Sequence, residues 1–250
     1  MKRTFTSIIG LILSVGISVT AYAGGNTTND SFNKAKKLLE NKVYYDHRVT
    51  VYCGYTFDNE KRICIPEGFT TAKHQKRAYK VEWEHAVPAE NFGRAFVEWR
   101  EGAPVCVDRR GKHFKGRNCA RKASRDFRLM EADMYNLFPA VGSVNAVRGN
   151  KQYSELPGVP PAFGTCPAKV SGNRFEPPQN SKGELARAAL YMDNAYESYR
   201  LSRQQKQLFE AWSKQDPVDE WECTRAKRIE RIQGNENPFV KNLCIHEGLW

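Results

Sequence analysis

Apolar and polar positions along this 250-residue chain follow two periods. From Tyr79 to His85 they alternate, with Tyr79, Val81 and Trp83 on one parity, which predicts a half-buried β-strand ended by Pro88 and the turn-prone residues after it. From Ser181 onward the spacing is three and four. Leu185, Ala188, Ala189, Met192, Ala195, Tyr196 and Tyr199 form a helical stripe behind a capping box at Ser181-Lys182-Gly183-Glu184. A second box, Ser202 to Gln205, opens a helix carrying Leu208, Phe209, Ala211 and Trp212. Asp219 to Glu222 starts a third, with Ile229 and Ile232 inside and Gly234 as its end.

The remaining pattern is weaker. Asp30 or Ser31 caps a first helix to about Asn41, Val49, Val51 and Cys53 alternate as a short strand, and Gly54 to Thr71 reads as loop or hairpin. Leu129 to Leu137 is helix-compatible and limited by Pro139. Val141, Val144 and Arg148 surround Asn145 at helical spacing, and the Pro/Gly-dense residues 149–180 read as an ordered, irregular crossing. There is no internal repeat.

Lys2 and Arg3, the apolar run Phe5 to Val19 and the small-x-small site Ala21-Tyr22-Ala23 read as a cleavable export signal over 1–23. The mature chain, 24–250, is then expected as one mixed α+β domain with a helix-rich C-terminal third. Seven cysteines in an exported protein predict disulfide stapling with at least one thiol left over. Cys53 with Cys64 and Cys106 with Cys119 are locally plausible pairs, although spacing does not fix the connectivity.

Charge narrows the class of partner. The net charge of +11 draws the protein to polyanions, and the basic residues are clustered. Arg109, Arg110, Lys112, Lys115, Arg117, Arg121, Lys122, Arg125 and Arg128 crowd one stretch, and Arg225, Lys227, Arg228 and Arg231 ride on a late helix. Two such tracts suit a groove along a phosphate backbone, though either is also compatible with a solvated face.

The chemistry sits at Glu84-His85, where a carboxylate and an imidazole meet at a strand end: a cation ligand beside a candidate general base, the minimum for metal-assisted hydrolysis. Alone, such a dipeptide is ordinarily a surface pair or a structural histidine. The five histidines include no pair at zinc-ligand spacing, and neither zinc-protease pattern is present.

A longer set of motifs gives the dipeptide its context: Val81-Glu82-Trp83-Glu84-His85-Ala86-Val87-Pro88-Ala89, Gly116-Arg117-Asn118-Cys119, Met130 to Leu137, Val141-Gly142-Ser143-Val144-Asn145, Arg148-Gly149-Asn150, Glu176-Pro177-Pro178, Trp221-Glu222-Cys223 and Gln233 to Val240. In this order they resemble the bacterial endonuclease I family, exported nucleases of the ββα-metal (His-Me finger) class, and they span nearly all of the chain after its first helix. The resemblance implies a fold built around a ββα-metal finger. It implies Glu84 and Asn145 as ligands of one divalent ion, Mg²⁺ or Mn²⁺ or Ca²⁺ in the same site, and His85 as general base. Arg117 would bind the cleaved phosphate, and Glu131 would lie beside the metal-water cluster. Arg117, Arg121, Lys122, Arg148, Arg225 and Arg228 are the candidate nucleic-acid contacts.

The expected activity is sequence-nonspecific hydrolysis of DNA to 5′-phosphate ends, with RNA open as a second substrate. The protein is expected to act in the periplasm or outside the cell, as a monomer with no membrane contact after signal cleavage. The alternative is a catalytically inactive nucleic-acid-binding protein on the same scaffold. Three departures stand out. Tyr55 replaces a cysteine of the usual Tyr-Cys-Gly-Cys, Phe96 to Lys115 is longer and more basic than usual, and Ala146-Val147 replaces a Gly-Asp pair beside Asn145.

Overall fold

The computed structural model describes residues 24–250, so the export signal expected over 1–23 lies outside the described residues. Ser31 opens α1 (Phe32–Leu38), its Oγ accepting the Lys34 N–H at 3.3 Å. A wider π turn over Leu39–Val43 continues the helix and buries both of its apolar ends. Residues 44–80 are then held by isolated bridges, Val49 with Thr56, Phe57 with Ile63 and Arg62 with Lys80. The strand expected from Val49 to Cys53 does not form because the chain turns back on itself there. Gly54 N–H donates to the Thr50 carbonyl, and Thr50 N–H to the Tyr55 carbonyl.

β1 (Val81–His85) starts two residues later than the alternation suggests, leaving Tyr79 exposed. The connection after it holds α2 (Ala89–Gly93), α3 (Val97–Arg100), α4 (Arg117–Ala123) and α5 (Arg125–Glu131). The helix expected over 129–137 is divided. α5 ends at Glu131, one 3₁₀ turn covers Met134–Asn136, and Leu137 begins β2 (Leu137–Val141) with Pro139 inside it. β2 runs antiparallel to β1, Trp83 facing Pro139 and His85 facing Leu137. Pro139 is tolerated because its carbonyl turns away from β1 to accept Val51 N–H at 2.8 Å, which puts the N–H it lacks on the outer edge.

α6 (Gly142–Arg148) follows β2 without a loop and packs on both strands. Its first residue must be small. A Cβ on Gly142 would stand 2.6 Å from the Arg77 carbonyl, and Gly142 N–H donates to the Lys80 carbonyl at 3.0 Å. α6 is therefore pinned to the segment entering β1, which sets Asn145 beside the strand.

The irregular crossing contains β3 (Gln152–Tyr153), β4 (Lys169–Ser171) and β5 (Arg174–Glu176), a small sheet with β5 central, parallel to β3 and antiparallel to β4. Strands of two and three residues are too short for alternation to show. α7 (Lys182–Ala195), α8 (Arg203–Gln215), α9 (Glu220–Gln233) and α10 (Pro238–His246) complete the α+β chain. The capping box at Ser181 does not form. Ser181 Oγ donates to the Pro178 carbonyl, and the α7 N-terminus is capped from the end of α8, Gly183 N–H donating to Asp216 Oδ2 at 2.7 Å. Ser202 and Asp219 cap their helices, accepting from Gln205 N–H and Glu222 N–H, and Gly234 (φ +86°) ends α9 in the left-handed region.

One continuous cluster of buried apolar side chains links the β1–β2 pair to the C-terminal helices, with Phe138, Phe175, Tyr191 and Trp212 among its large members. Disulfides join Cys106 to Cys119, Cys53 to Cys166 and Cys223 to Cys244. The Cys53–Cys64 pair is not made, and Cys64 is exposed and free. Among the described residues no helix is long and apolar enough to cross a membrane.

Candidate active site

A cleft of about 620 Å³ opens over the end of β1, lined by Phe32, Glu84, His85, Arg117 and Asn145 among others. Alternate residues of a strand face opposite ways, yet Glu84 and His85 both reach it because β1 stops there. Asn136 secures the exit: its carbonyl accepts Ala86 N–H at 3.0 Å, its Oδ1 accepts Val87 N–H at 2.7 Å, and its Nδ2 donates to the Val87 carbonyl. Arg148 braces the same bend. Its guanidinium donates to Glu84 Oε1 (2.6 Å) and to the carbonyls of His85 and Ala86.

Glu84 is buried, and Oε1 also accepts the Tyr52 hydroxyl at 2.8 Å. Burial pushes its carboxyl up from the ordinary range, while Arg148 and Tyr52 pull it back. Oε2 has no hydrogen-bond partner among the described residues. Asn145 presents a second open oxygen. Its Nδ2 donates to Glu82 Oε2 at 3.0 Å, and Arg77 grips Glu82 with two guanidinium nitrogens. A carboxylate only accepts, so the amide must turn its NH₂ to Glu82, which leaves Oδ1 free.

His85 is buried, with Phe32 stacked on it at 5.0 Å between ring centroids. Burial first, and then the nearby Arg117, pulls its pKa down to about 3, so the ring is neutral near pH 7. Nε2 lies 3.0 Å from the Glu131 carbonyl oxygen, which can only accept. The proton is therefore on Nε2, and the Nδ1 lone pair is unclaimed among the described residues.

Glu131 is itself buried, and its carboxylate accepts from Arg117 Nε (2.5 Å) and from Arg121 Nε (2.6 Å). Arg117 Nη2 is buried with no hydrogen-bond partner among the described residues. The cleft thus gathers an imidazole with an open nitrogen, the Arg117 side chain and two hard oxygens that are uncommitted among the described residues.

A family model described as Endonuclease I matches residues 18–244. The chain belongs to the Endonuclease I family. It is an endonuclease. An extracellular deoxyribonuclease of Aeromonas hydrophila is 38% identical to it over 247 residues, covering 96% of this chain and 99% of the relative. A periplasmic deoxyribonuclease of the same organism is 37% identical, covering 95% and 97%. An extracellular ribonuclease of Bacillus subtilis is 33% identical over 141 residues, 47% of this chain and 46% of the relative.

Of the residues singled out in the sequence of this endonuclease, Glu84, His85, Asn145, Arg117 and Arg148 line the one cleft. Glu131 stands behind Arg117 with both carboxylate oxygens taken, so it orients its neighbours instead of facing the cleft. Two expected phosphate contacts, Arg148 and Arg225, need correction because both are buried. Arg148 is 1% exposed and occupied in bracing Glu84, His85 and Ala86. Arg225 is buried, donating to the Tyr44 hydroxyl and the Met134 and Leu137 carbonyls with its guanidinium over Phe138. Arg228 is paired in a fork with Asp46 and stacked on Tyr45. Lys122 is exposed and lines no part of this cleft.

Phe32, Glu82, Tyr52 and Asn136 are supporting residues that sequence reasoning did not assign. Glu82 shares the parity of Glu84 on β1, which was a usable signal, and Tyr52 adjoins Cys53. Phe32 carries no local mark of its role.

Proposed function

We propose that this endonuclease is an exported, metal-dependent deoxyribonuclease without sequence specificity, in which β1, β2 and α6 form a ββα-metal finger. The observation that carries the reading is the geometry at His85: its Nε2 faces the Glu131 carbonyl, which leaves Nδ1 as the open acceptor in a cleft that Glu84, Asn145 and Arg117 also line. The donor set fits a divalent ion. Glu84 Oε2 and Asn145 Oδ1 are hard oxygens with no competing partner among the described residues, and they suit Mg²⁺, Mn²⁺ or Ca²⁺ better than zinc, leaving room for water and phosphate oxygens. When bound, one such ion supplies positive charge to the phosphate and to the departing oxygen.

The protein residues do the rest. His85 Nδ1 takes a proton from the attacking water as its oxygen bonds to phosphorus, the P–O3′ bond breaks, the phosphate stays on the 5′ end of one fragment, and the departing O3′ of the other takes a proton from solvent to become a hydroxyl. Arg117 donates to a non-bridging oxygen, where charge builds up during the reaction. Glu131 holds Arg117 in place, and Arg148 and Tyr52 hold Glu84. Contacts to phosphate carry no base information, which supports nonspecific cleavage.

DNA as substrate, and export to the periplasm or the medium, are supported by the names of the Aeromonas relatives, and three disulfides suit an oxidising compartment. RNA is a second substrate in this reading, supported by the Bacillus ribonuclease over about half of the chain. The protein acts as a monomer. Plasmid nicking with Mg²⁺ and with EDTA tests the proposal: nicking with the metal and none with the chelator is expected, and equal activity in both would reject metal dependence.

A further inference from the structure

A second cleft of about 530 Å³ continues from the first, sharing Phe32 and Asn145 with it and lined beyond them by Lys36, Lys37 and Lys61. Its charge is poorly compensated. Two acids line it, Glu40 paired with Lys61 at 3.0 Å and Glu82 paired with Arg77, while Lys36 and Lys37 have no carboxylate partner among the described residues. Lys36 Nζ lies 4.6 Å from the Phe32 ring centroid, and Arg117 and Arg121 approach the same ring at 5.5 and 5.6 Å. Glu131 pairs both arginines but not Lys36, whose ammonium is held below its ordinary range by burial and by Arg121, Lys61 and Arg117, with Glu131 opposing them. An anion in the groove would pair the ammonium that Glu131 leaves uncompensated.

Lys61 adds an independent observation. It has φ +63°, a left-handed conformation that disfavours side chains other than those of Gly, Asn or Asp. The turn is fixed at both ends: Lys61 N–H donates to the Asp58 carbonyl, and the Lys61 carbonyl accepts Val81 N–H, the first residue of β1, at 3.0 Å. A lysine kept where glycine would be easier is held for its ammonium, which pairs with Glu40 at the edge of the groove.

We infer that the Lys36–Lys37–Lys61 groove is a second phosphate subsite, which takes a backbone phosphate flanking the one held at Arg117. This rests on the nuclease reading above and extends it: the strand runs from the Arg117–Arg121 side across Phe32 and Asn145 onto α1 and the Lys61 turn. The subsite binds and takes no part in bond breaking. It replaces Arg225 of the late-helix tract, which is buried, as the second basic contact.

The test is salt-dependent binding of a short labelled duplex to the full chain carrying His85→Ala, in EDTA so that the duplex stays whole. Lys36→Ala with Lys61→Gly, added to that background, is expected to reduce the slope of log affinity against log salt by about 1 to 2, as loss of one or two phosphate contacts requires. Glycine fits the left-handed turn, so the thermal midpoint is expected to be no lower than that of the background protein. Lys214→Ala on α8, which lines neither cleft, serves as control and is expected to leave the slope unchanged. An unchanged slope in the double variant, or an equal fall in the control, would overturn the subsite. If the His85→Ala background itself fails to bind DNA, it is the nuclease reading that fails.

Discussion

His85 Nε2 lies 3.0 Å from the main-chain carbonyl oxygen of Glu131. Glu131 is the last residue of α5, where carbonyls run out of helical partners, so the helix end supplies an acceptor that the imidazole satisfies. One residue thus sets two parts of the site, its carbonyl the tautomer of His85 and its carboxylate the placement of Arg117.

The two functions can be separated. Glu131→Gln keeps the carbonyl and removes the charge that grips Arg117 and Arg121. Cleavage is expected to fall by about ten- to a hundredfold, as a displaced phosphate ligand predicts, while the dependence on pH keeps its shape. Initial nicking rates across pH measure both, and an undiminished rate would show that Arg117 does not need this anchor.

Tyr52→Phe removes the hydroxyl that donates to Glu84 Oε1 and leaves Arg148 in place. The Mg²⁺ concentration for half-maximal nicking is expected to rise by about ten- to a hundredfold, the usual cost of losing a group that orients a ligand. No change in that concentration would argue against Glu84 as a ligand held by Tyr52.

Acid should destabilise the protein through His85. Its pKa falls from the ordinary 6.5 to about 3 on folding, so between these values the unfolded chain binds a proton that the folded chain does not. This contribution to stability is fully present above pH 6.5 and is lost as pH falls towards 3, by at most about 1.4 kcal/mol per pH unit. Urea unfolding in metal-free buffer at about pH 7.5 and about pH 5 is expected to show a smaller loss for His85→Ala than for the parent. Equal losses would mean that His85 titrates alike in both states.

The disulfides act on different parts of the site. Cys106–Cys119 closes 13 residues and anchors α4, which carries Arg117 and Arg121, whereas Cys53–Cys166 spans 113 residues beside Tyr52. Loop-closure entropy puts the first at about 3 kcal/mol and the second at about 5 kcal/mol. Paired serine variants, compared by urea unfolding and by nicking, are expected to follow that order in stability. The Cys106→Ser/Cys119→Ser protein should lose activity mainly through weaker substrate binding. Full activity in a completely reduced protein would remove the disulfides from any part in holding the site.

The sequence was most legible where the signal was local. The alternation up to His85 and the helical spacing around Asn145 placed two elements of the site, because both patterns fit within a few residues. Cys53–Cys166 was not legible, since nothing near either residue marks a partner 113 positions away. Phe32 on His85 and Asp216 capping α7 are long-range contacts of the same kind. Arg225 shows a different limit. Its charge suggests a surface, but in the structure its guanidinium finds carbonyls and a hydroxyl inside the core, and composition cannot distinguish the two. The split at Leu137 follows from reading Pro139 as a helix stop when it lies on the free edge of a strand.

The central claim is that His85, neutral and open at Nδ1, is the base that activates water. His85→Ala tests it most directly, assayed by plasmid nicking with Mg²⁺ alongside DNA binding in EDTA. The account predicts binding within about twofold of the parent and a cleavage rate lower by about a hundred- to ten-thousandfold, the range that general-base catalysis supplies. Cleavage at the parental rate by a protein that lacks this imidazole would contradict it.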